Sequence, residues 1–315
     1  MNLHLNKELF RETIDTLNTK TGVAIDIIEK DYYVCAVLNE LSKKQDYLKA
    51  YFKGGTAVYK ILENMNRFSE DIDLTVKVLP GESNTRNKKR LKESALGYKI
   101  DGLELIKEEC IDNKGSVTGM YKYTSVYADS EIPLQRAGKI QVESTSFTVS
   151  EPTEKYYIEP LIYKLASDYE KKILEEKFDI SKIEIEIIKL ERMFIDKIFA
   201  AEFYYIRNMY MDVSKHLYDI SILFCNDKIQ KLLENKEELS KLIEYKRQEE
   251  KIRIGGIDEN TRIKDFNYFK LEFSNKLIKE FESMQNKYVL NDKYKLSIDE
   301  VKNILKQIYN KILKL

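Results

Sequence analysis

"YFKGGTAVYKILENMNRFSEDIDL", residues 51–74, runs from a short strand-like segment through a glycine pair into a helical pattern and closes on two aspartates one residue apart. Gly54 and Gly55 let other groups come close to the backbone, and the free amides at the start of a following helix turn their positive end toward whatever lies there. Such a hollow suits a phosphate, with Lys53 and Thr56 beside it as further donors. Beyond it, Asp71, Asp73 and Thr75 alternate with Ile72, Leu74 and Val76, the period of a half-buried strand. That period holds the two carboxylates on one face, about 7 Å apart at the backbone, where a divalent cation can screen their repulsion. Each feature alone has a plain alternative, an ordinary turn or a solvated strand edge. Together they amount to a metal beside a phosphate hollow, the arrangement that activates a nucleoside triphosphate.

The remaining composition narrows the classes. The chain has 315 residues and a mass of 37.2 kDa, enough for two ordinary domains. Lys+Arg and Asp+Glu both number 53, so bulk charge gives no argument for a nucleic-acid coat or an acidic tail, and any basic surface must be local. No apolar run approaches the roughly 20 residues of a membrane span and no hydrophobic leader stands out, so the expected location is cytoplasmic, without a membrane partner. Cys35, Cys110 and Cys225 are far apart and form no C-x-x-C, and with 2 histidines the sequence suggests neither a disulfide framework nor a thiolate zinc site.

Along the chain, residues 5–45 read as two helices split by "NTKTG" at 18–22, and "AYFK" at 50–53 reads as a strand. Residues 87–110 read as charged helix. "VTGMYKYTSVYA" (117–128) and "GKIQVESTSF" (138–147) read as strands joined by a loop holding Pro133, and Ile183–Ile188 alternates again. From Leu190 the pattern is helical, interrupted at "RIGGIDENTR" (253–262). The expected fold class is α+β: a mixed sheet with flanking helices over residues 1–190, then a helical bundle over 191–315.

Three further polar residues stand out. Lys197 shares a helical stripe with Leu190, Phe194 and Ala201, and a lysine on such a stripe needs an anionic partner. Its plain alternative is a snorkelling lysine paired with Glu202 or Asp196. Asp219 lies between Ile222 and Leu223 on the helical wheel, an acid at an apolar border, with a Lys215–Asp219 helical ion pair as its plain alternative. Glu143 alternates with Gln141 against Ile140 and Val142, on the polar face of its strand.

Five patches, "AIDIIEKDYYVCAVLNEL" (24–41), "FKGGTAVYK" (52–60), "RFSEDIDL" (67–74), "ERMFIDKIFAAEF" (191–203) and "KHLYDISIL" (215–223), resemble the AbiEii/AbiGii toxin family of bacterial nucleotidyltransferases, within the polymerase-beta-like superfamily. The resemblance implies the nucleotidyltransferase fold, with Asp71 and Asp73 as metal ligands, Glu143 as the third metal carboxylate, and Lys53, Gly54, Gly55, Thr56 and Ser69 around the nucleotide. It makes Lys197 the phosphate-binding lysine and Asp219 a catalytic acid, both brought to an interdomain active-site cleft by the helical domain. Lys215-His216 departs from the arginine usual before that acid. The implied cofactor is Mg2+ or Mn2+ and the implied substrate a nucleoside triphosphate, with pyrophosphate released. RNA such as transfer RNA is the implied acceptor, and a cognate antitoxin encoded nearby is the implied partner in a toxin-antitoxin or abortive-infection system. Two other classes use the same site: a nucleotide- or nucleic-acid-binding module without turnover, and a phosphotransferase or kinase moving the γ-phosphate. Glu29, Lys30, Asp31 and Tyr32 match a further family patch as packing or site-supporting residues, with no chemistry derived for them.

Overall fold

The computed structural model describes residues 1–62, 67–127 and 138–313, so the loop holding Pro133 lies outside the described residues. The chain packs as two units, one of Met1–Ile61 with Phe68–Ile187, the other of Leu62–Arg67 with Ile188–Leu315.

In the first unit, helix α1 (Lys7–Thr21) begins where the Asn6 side chain accepts from the Leu9 amide and ends on Gly22 at φ 73°. Helix α2 (Ile25–Leu48) follows, then β1 (Ala50–Lys53), α3 (Gly54–Ile61), β2 (Ile72–Val76) and α4 (Asn84–Leu96). Strands β3 (Leu103–Leu105), β4 (Ile111–Asn113), β5 (Ser116–Tyr123), β6 (Lys139–Thr145) and β7 (Thr153–Ile158) come next, then α5 (Leu161–Lys164), α6 (Asp168–Phe178) and β8 (Ile183–Ile188). Among the described residues eight strands form one mixed sheet, in the order β3-β5-β6-β2-β1-β8-β7 with β4 paired to β5 off that path. β2 runs antiparallel to β1 and parallel to β6. The segment 87–110, expected to be helical throughout, is α-helical only to Leu96, with a single 3-10 turn further on at Lys107–Glu109. Gly97 caps the helix, Gly102 takes φ 75°, and Leu103–Leu105 pairs with β5 instead.

The core of this unit forms around α2. Ile28, Val37, Leu38 and Leu41 are buried with Phe52, Ile72, Leu74 and Val142 from the sheet. Unlike an ordinary amphipathic helix, α2 also buries a run of polar residues, and each has found a partner elsewhere in the unit. Glu29 accepts from the Ser125 hydroxyl at 2.6 Å and the Val126 amide at 2.8 Å. Asp31 accepts from the Lys60 ammonium and, at 2.7 Å, from the amide of Leu161. The Tyr32 hydroxyl meets His4 Nδ1 at 2.8 Å, while His4 Nε2 lies 2.6 Å from the Asp101 carbonyl and must donate to it. Gln45 holds both neighbouring strands of the sheet, donating to the Ala50 and Glu186 carbonyls and accepting from the Glu186 amide.

The second unit contains α7 (Leu190–Tyr205), α8 (Tyr210–Phe224), α9 (Asp227–Glu234), α10 (Lys236–Ile252), α11 (Asn275–Tyr288) and α12 (Ile298–Ile312). α8 is its central helix, packed on α7, α11 and α12. A buried charge cluster ties α7 to α10: Arg192 pairs with Glu249, and Lys246 sits 3.1 Å from Glu249 and 3.2 Å from Glu250. No helix among the described residues is long and apolar enough to cross a membrane.

Asp31 gives a direct test of the first unit's packing. Asp31→Ala strands the buried Lys60 ammonium and the Leu161 amide, and we expect it to cost about 3–5 kcal/mol. The double change Asp31→Ala with Lys60→Met removes both charges and is expected to recover much of that loss. Urea midpoints of the three proteins check both statements.

Candidate active site

The strand-glycine-helix turn expected at Gly54-Gly55 is present, with α3 starting on the glycines themselves. Gly54 sits at φ 83°, a left-handed conformation that suits glycine. A side chain there would also collide with the D-x-D: a Cβ on Gly54 would lie 2.0 Å from Asp73 Oδ2. The glycine is therefore required for the carboxylate to lie against the start of the helix.

Asp73 is flanked in register by Lys53 on β1 and by Glu143 on β6. Cross-strand partners share a face of the sheet, so a lysine and two acids line one face side by side. The Lys53 ammonium reaches across to the hydroxyls of Thr145 at 3.5 Å and Thr148 at 3.4 Å. Asp71 lies one residue ahead of β2, and its carbonyl accepts from the hydroxyl of the buried Thr56. The same hydroxyl meets Ser69 Oγ at 3.0 Å. In this geometry the Thr56 and Ser69 side chains brace the chain just before the two aspartates. Thr75, assigned with the aspartates to a polar face, is buried against Thr148.

The donor chemistry suits a hard divalent cation, since Asp71, Asp73 and Glu143 offer only oxygen. Among the described residues no group of three or more His, Cys, Asp or Glu side chains is arranged to hold a metal ion. Magnesium is commonly held by carboxylates together with substrate phosphates rather than by an all-protein cage, so these acids need not form a closed cluster before a triphosphate binds.

Lys197 and Asp219 meet in the second unit, with Lys197 Nζ 2.8 Å from Asp219 Oδ2. Neither plain alternative applies. Glu202 accepts from Asn267 at 2.7 Å, Asp196 is engaged by Arg192 and Lys246, and Lys215 lies 3.9 Å from Asp212. Asp219 has a second cationic partner that sequence reasoning missed. Arg67, in the "RFSEDIDL" patch, grips it with two bonds, Nε to Oδ1 at 2.8 Å and Nη2 to Oδ2 at 2.9 Å. The only hint in the sequence was the missing arginine before the acid, where Lys215-His216 stand. His216 instead stacks on Tyr204 at 5.3 Å, and its Nδ1 is buried with no hydrogen-bond partner among the described residues.

Electrostatics follow from this packing. Burial would raise the Asp219 carboxyl, but Arg67 and Lys197 outweigh it and hold the pKa down at about 2. Burial, reinforced by Lys197, pushes the His216 imidazole well below its ordinary 6.5, and burial also lowers His4. Both histidines take up protons less readily in the fold than in the unfolded chain, so stability is lost as pH falls through their ordinary 6.5. The depressed Asp219 contributes stability above its ordinary 3.8, and this is lost as pH falls toward about 2, on the order of 2 kcal/mol. We expect His216→Gln to shrink the first stage and Asp219→Asn the second. Urea titrations from pH 7 to 2 giving identical profiles for all three proteins would rule this out.

No curated protein matches the chain. Among solved structures, the chain is similar to "MenT4, nucleotidyltransferase toxin Rv2826c from Mycobacterium tuberculosis H37Rv", at 12% identity over 95% of this chain and 98% of that one. The TM-score of that match is 0.41. The sequence profile described as "Nucleotidyl transferase AbiEii toxin, Type IV TA system" matches residues 36–305. That match spans most of the chain and contains the glycine pair, the D-x-D, Lys197 and Asp219, so the chain belongs to the AbiEii nucleotidyltransferase toxin family.

Proposed function

We propose that this nucleotidyltransferase moves a nucleotide from a nucleoside triphosphate to an acceptor, with RNA such as transfer RNA as the acceptor class. The observation that supports the reading best is Gly54 packed bare against the Asp73 carboxylate, with Lys53 and Glu143 on the flanking strands. An acceptor oxygen attacks the α-phosphorus, the bond from that phosphorus to the bridging oxygen breaks, and pyrophosphate leaves. Magnesium or manganese, held by Asp71, Asp73 and Glu143, would supply positive charge that favours approach of the acceptor to the triphosphate.

The chain's own residues have separate tasks in this reading. Asp71 and Asp73 provide the carboxylate oxygens, with Glu143 as the third. The amides at Gly54, Gly55 and Thr56 bind phosphate oxygens, because a helix start presents unpaired donors. Lys53 and Ser69 add polar contacts at the rim. Lys197 neutralises charge developing on the triphosphate, and Asp219 orients Lys197 through the 2.8 Å ion pair. The partner is an antitoxin encoded beside this gene, consistent with the type IV toxin-antitoxin family.

Labelled triphosphates test the reaction type. Transfer of α-label into RNA supports nucleotidyl transfer, γ-label alone indicates a phosphotransferase, and binding without transfer indicates a module lacking turnover. We expect Asp71→Asn and Asp73→Asn each to reduce transfer and growth inhibition to background with the fold intact. Gly54→Ala, which drives a methyl into the Asp73 carboxylate at a positive φ, should lower transfer by about a hundredfold. Full activity in both aspartate variants would refute the metal assignment.

Lys197 has its own test. Lys197→Ala leaves Arg67 paired with Asp219, so the fold should survive while nucleotide affinity and turnover both fall, by about tenfold or more. Lys189→Ala, at the N-cap of the same helix, should change little. A wild-type rate and Michaelis constant in Lys197→Ala would remove Lys197 from the site.

A further inference from the structure

The hydrogen-bonded register of β2 with β6 begins at Ile72 opposite Val142. Ahead of that point the two chains are joined by a side chain from α2. Lys30 is completely buried; its ammonium donates to the Lys139 carbonyl at the head of β6 and lies 3.2 Å from Glu70 Oε2, one residue before Asp71. Glu70 is itself only 5% exposed. The Thr56 hydroxyl holds the next carbonyl along, that of Asp71. Burying a lysine and a glutamate is costly, and apolar residues of similar volume would fill the space at least as well, so the pair calls for a reason beyond packing.

We propose that Lys30 is a positioning residue, and that its bridge from Glu70 to Lys139 fixes the spacing of the two carboxylate-bearing strands, Asp71 and Asp73 on one and Glu143 on the other. The inference rests on the metal reading proposed above. Magnesium and manganese need near-octahedral oxygen geometry, so ligands on two strands must hold their separation closely. The β2–β6 ladder supplies that on the inner side of Asp73, and Lys30 supplies it on the outer side, where the ladder has ended. This gives the "EKDY" motif a role at the site without contact with the metal or the nucleotide.

The test is Mn2+ binding by the full-length protein, followed by electron paramagnetic resonance with the metal alone, together with thermal unfolding. Glu70→Gln keeps the side chain's shape but removes the charge that pairs with Lys30, and should bind Mn2+ with an affinity between those of wild type and Glu70→Ala. Glu70→Ala breaks the bridge and should bind about tenfold more weakly. Lys30→Met with Glu70→Gln removes both charges and the bridge; it should melt near wild type yet show the same weakening. Wild-type Mn2+ affinity in Glu70→Ala overturns the proposal, whether or not the double variant folds. Asp71→Asn separates the two readings: if it binds Mn2+ as wild type does, the metal reading fails and this inference with it. If Asp71→Asn loses Mn2+ while Glu70→Ala keeps it, only the positioning role fails.

Discussion

Four consecutive side chains on α2, Glu29, Lys30, Asp31 and Tyr32, are buried, and the first unit is built on meeting their demand for partners. A buried polar group without a partner costs more than a hydrogen bond returns, so each of these residues commits a separate stretch of chain to a fixed place. Glu29 holds the start of the β5–β6 connection, Lys30 the heads of β2 and β6, Asp31 the end of α3 and the start of α5, and Tyr32 the N-terminal turn. Apolar packing around Ile28, Val37 and Leu41 supplies the bulk of the burial, but it is non-directional. The polar run gives α2 its rotation and register against the sheet.

The glycine turn adds a steric condition to this electrostatic one. With a methyl at Gly54 the Asp73 carboxylate could not stay where it is, so the hollow and the acid are one device rather than two neighbouring motifs. Lys53 contributes a cation directly opposite that acid across β1 and β2, which tempers the repulsion among carboxylates gathered on one face.

The second unit solves a similar problem with charge. Asp219 is fully buried and would be protonated in an apolar site, but a bidentate arginine and a lysine keep it ionised. Arg67 and Lys197 both lie against this one carboxylate, and burial together with the Lys197 charge disfavours protonation of the adjacent His216. Arg67 belongs to this unit although Phe68, the next residue, belongs to the first.

Much of the local architecture was legible in the sequence because it is written in periodicity. Alternation marked β1, β2, β6 and β8, helical stripes marked α1, α2 and the helices after Leu190, and the glycine pair with the D-x-D marked the turn that carries the candidate site. The charged segment 87–110 misled because composition there favours a helix throughout, while pairing with β5 overrides it after Gly97. The sequence also showed that Lys197 and Asp219 were polar groups facing apolar stripes, and hence that each needed a partner. Which partner was decided only by tertiary structure: Asp219 takes Arg67 from 152 residues away, and Lys30 takes Glu70 and the carbonyl of Lys139. The reason is physical. Local spacing records which side of an element faces the core, but the group that meets a buried charge there comes from whichever distant segment the packing brings alongside.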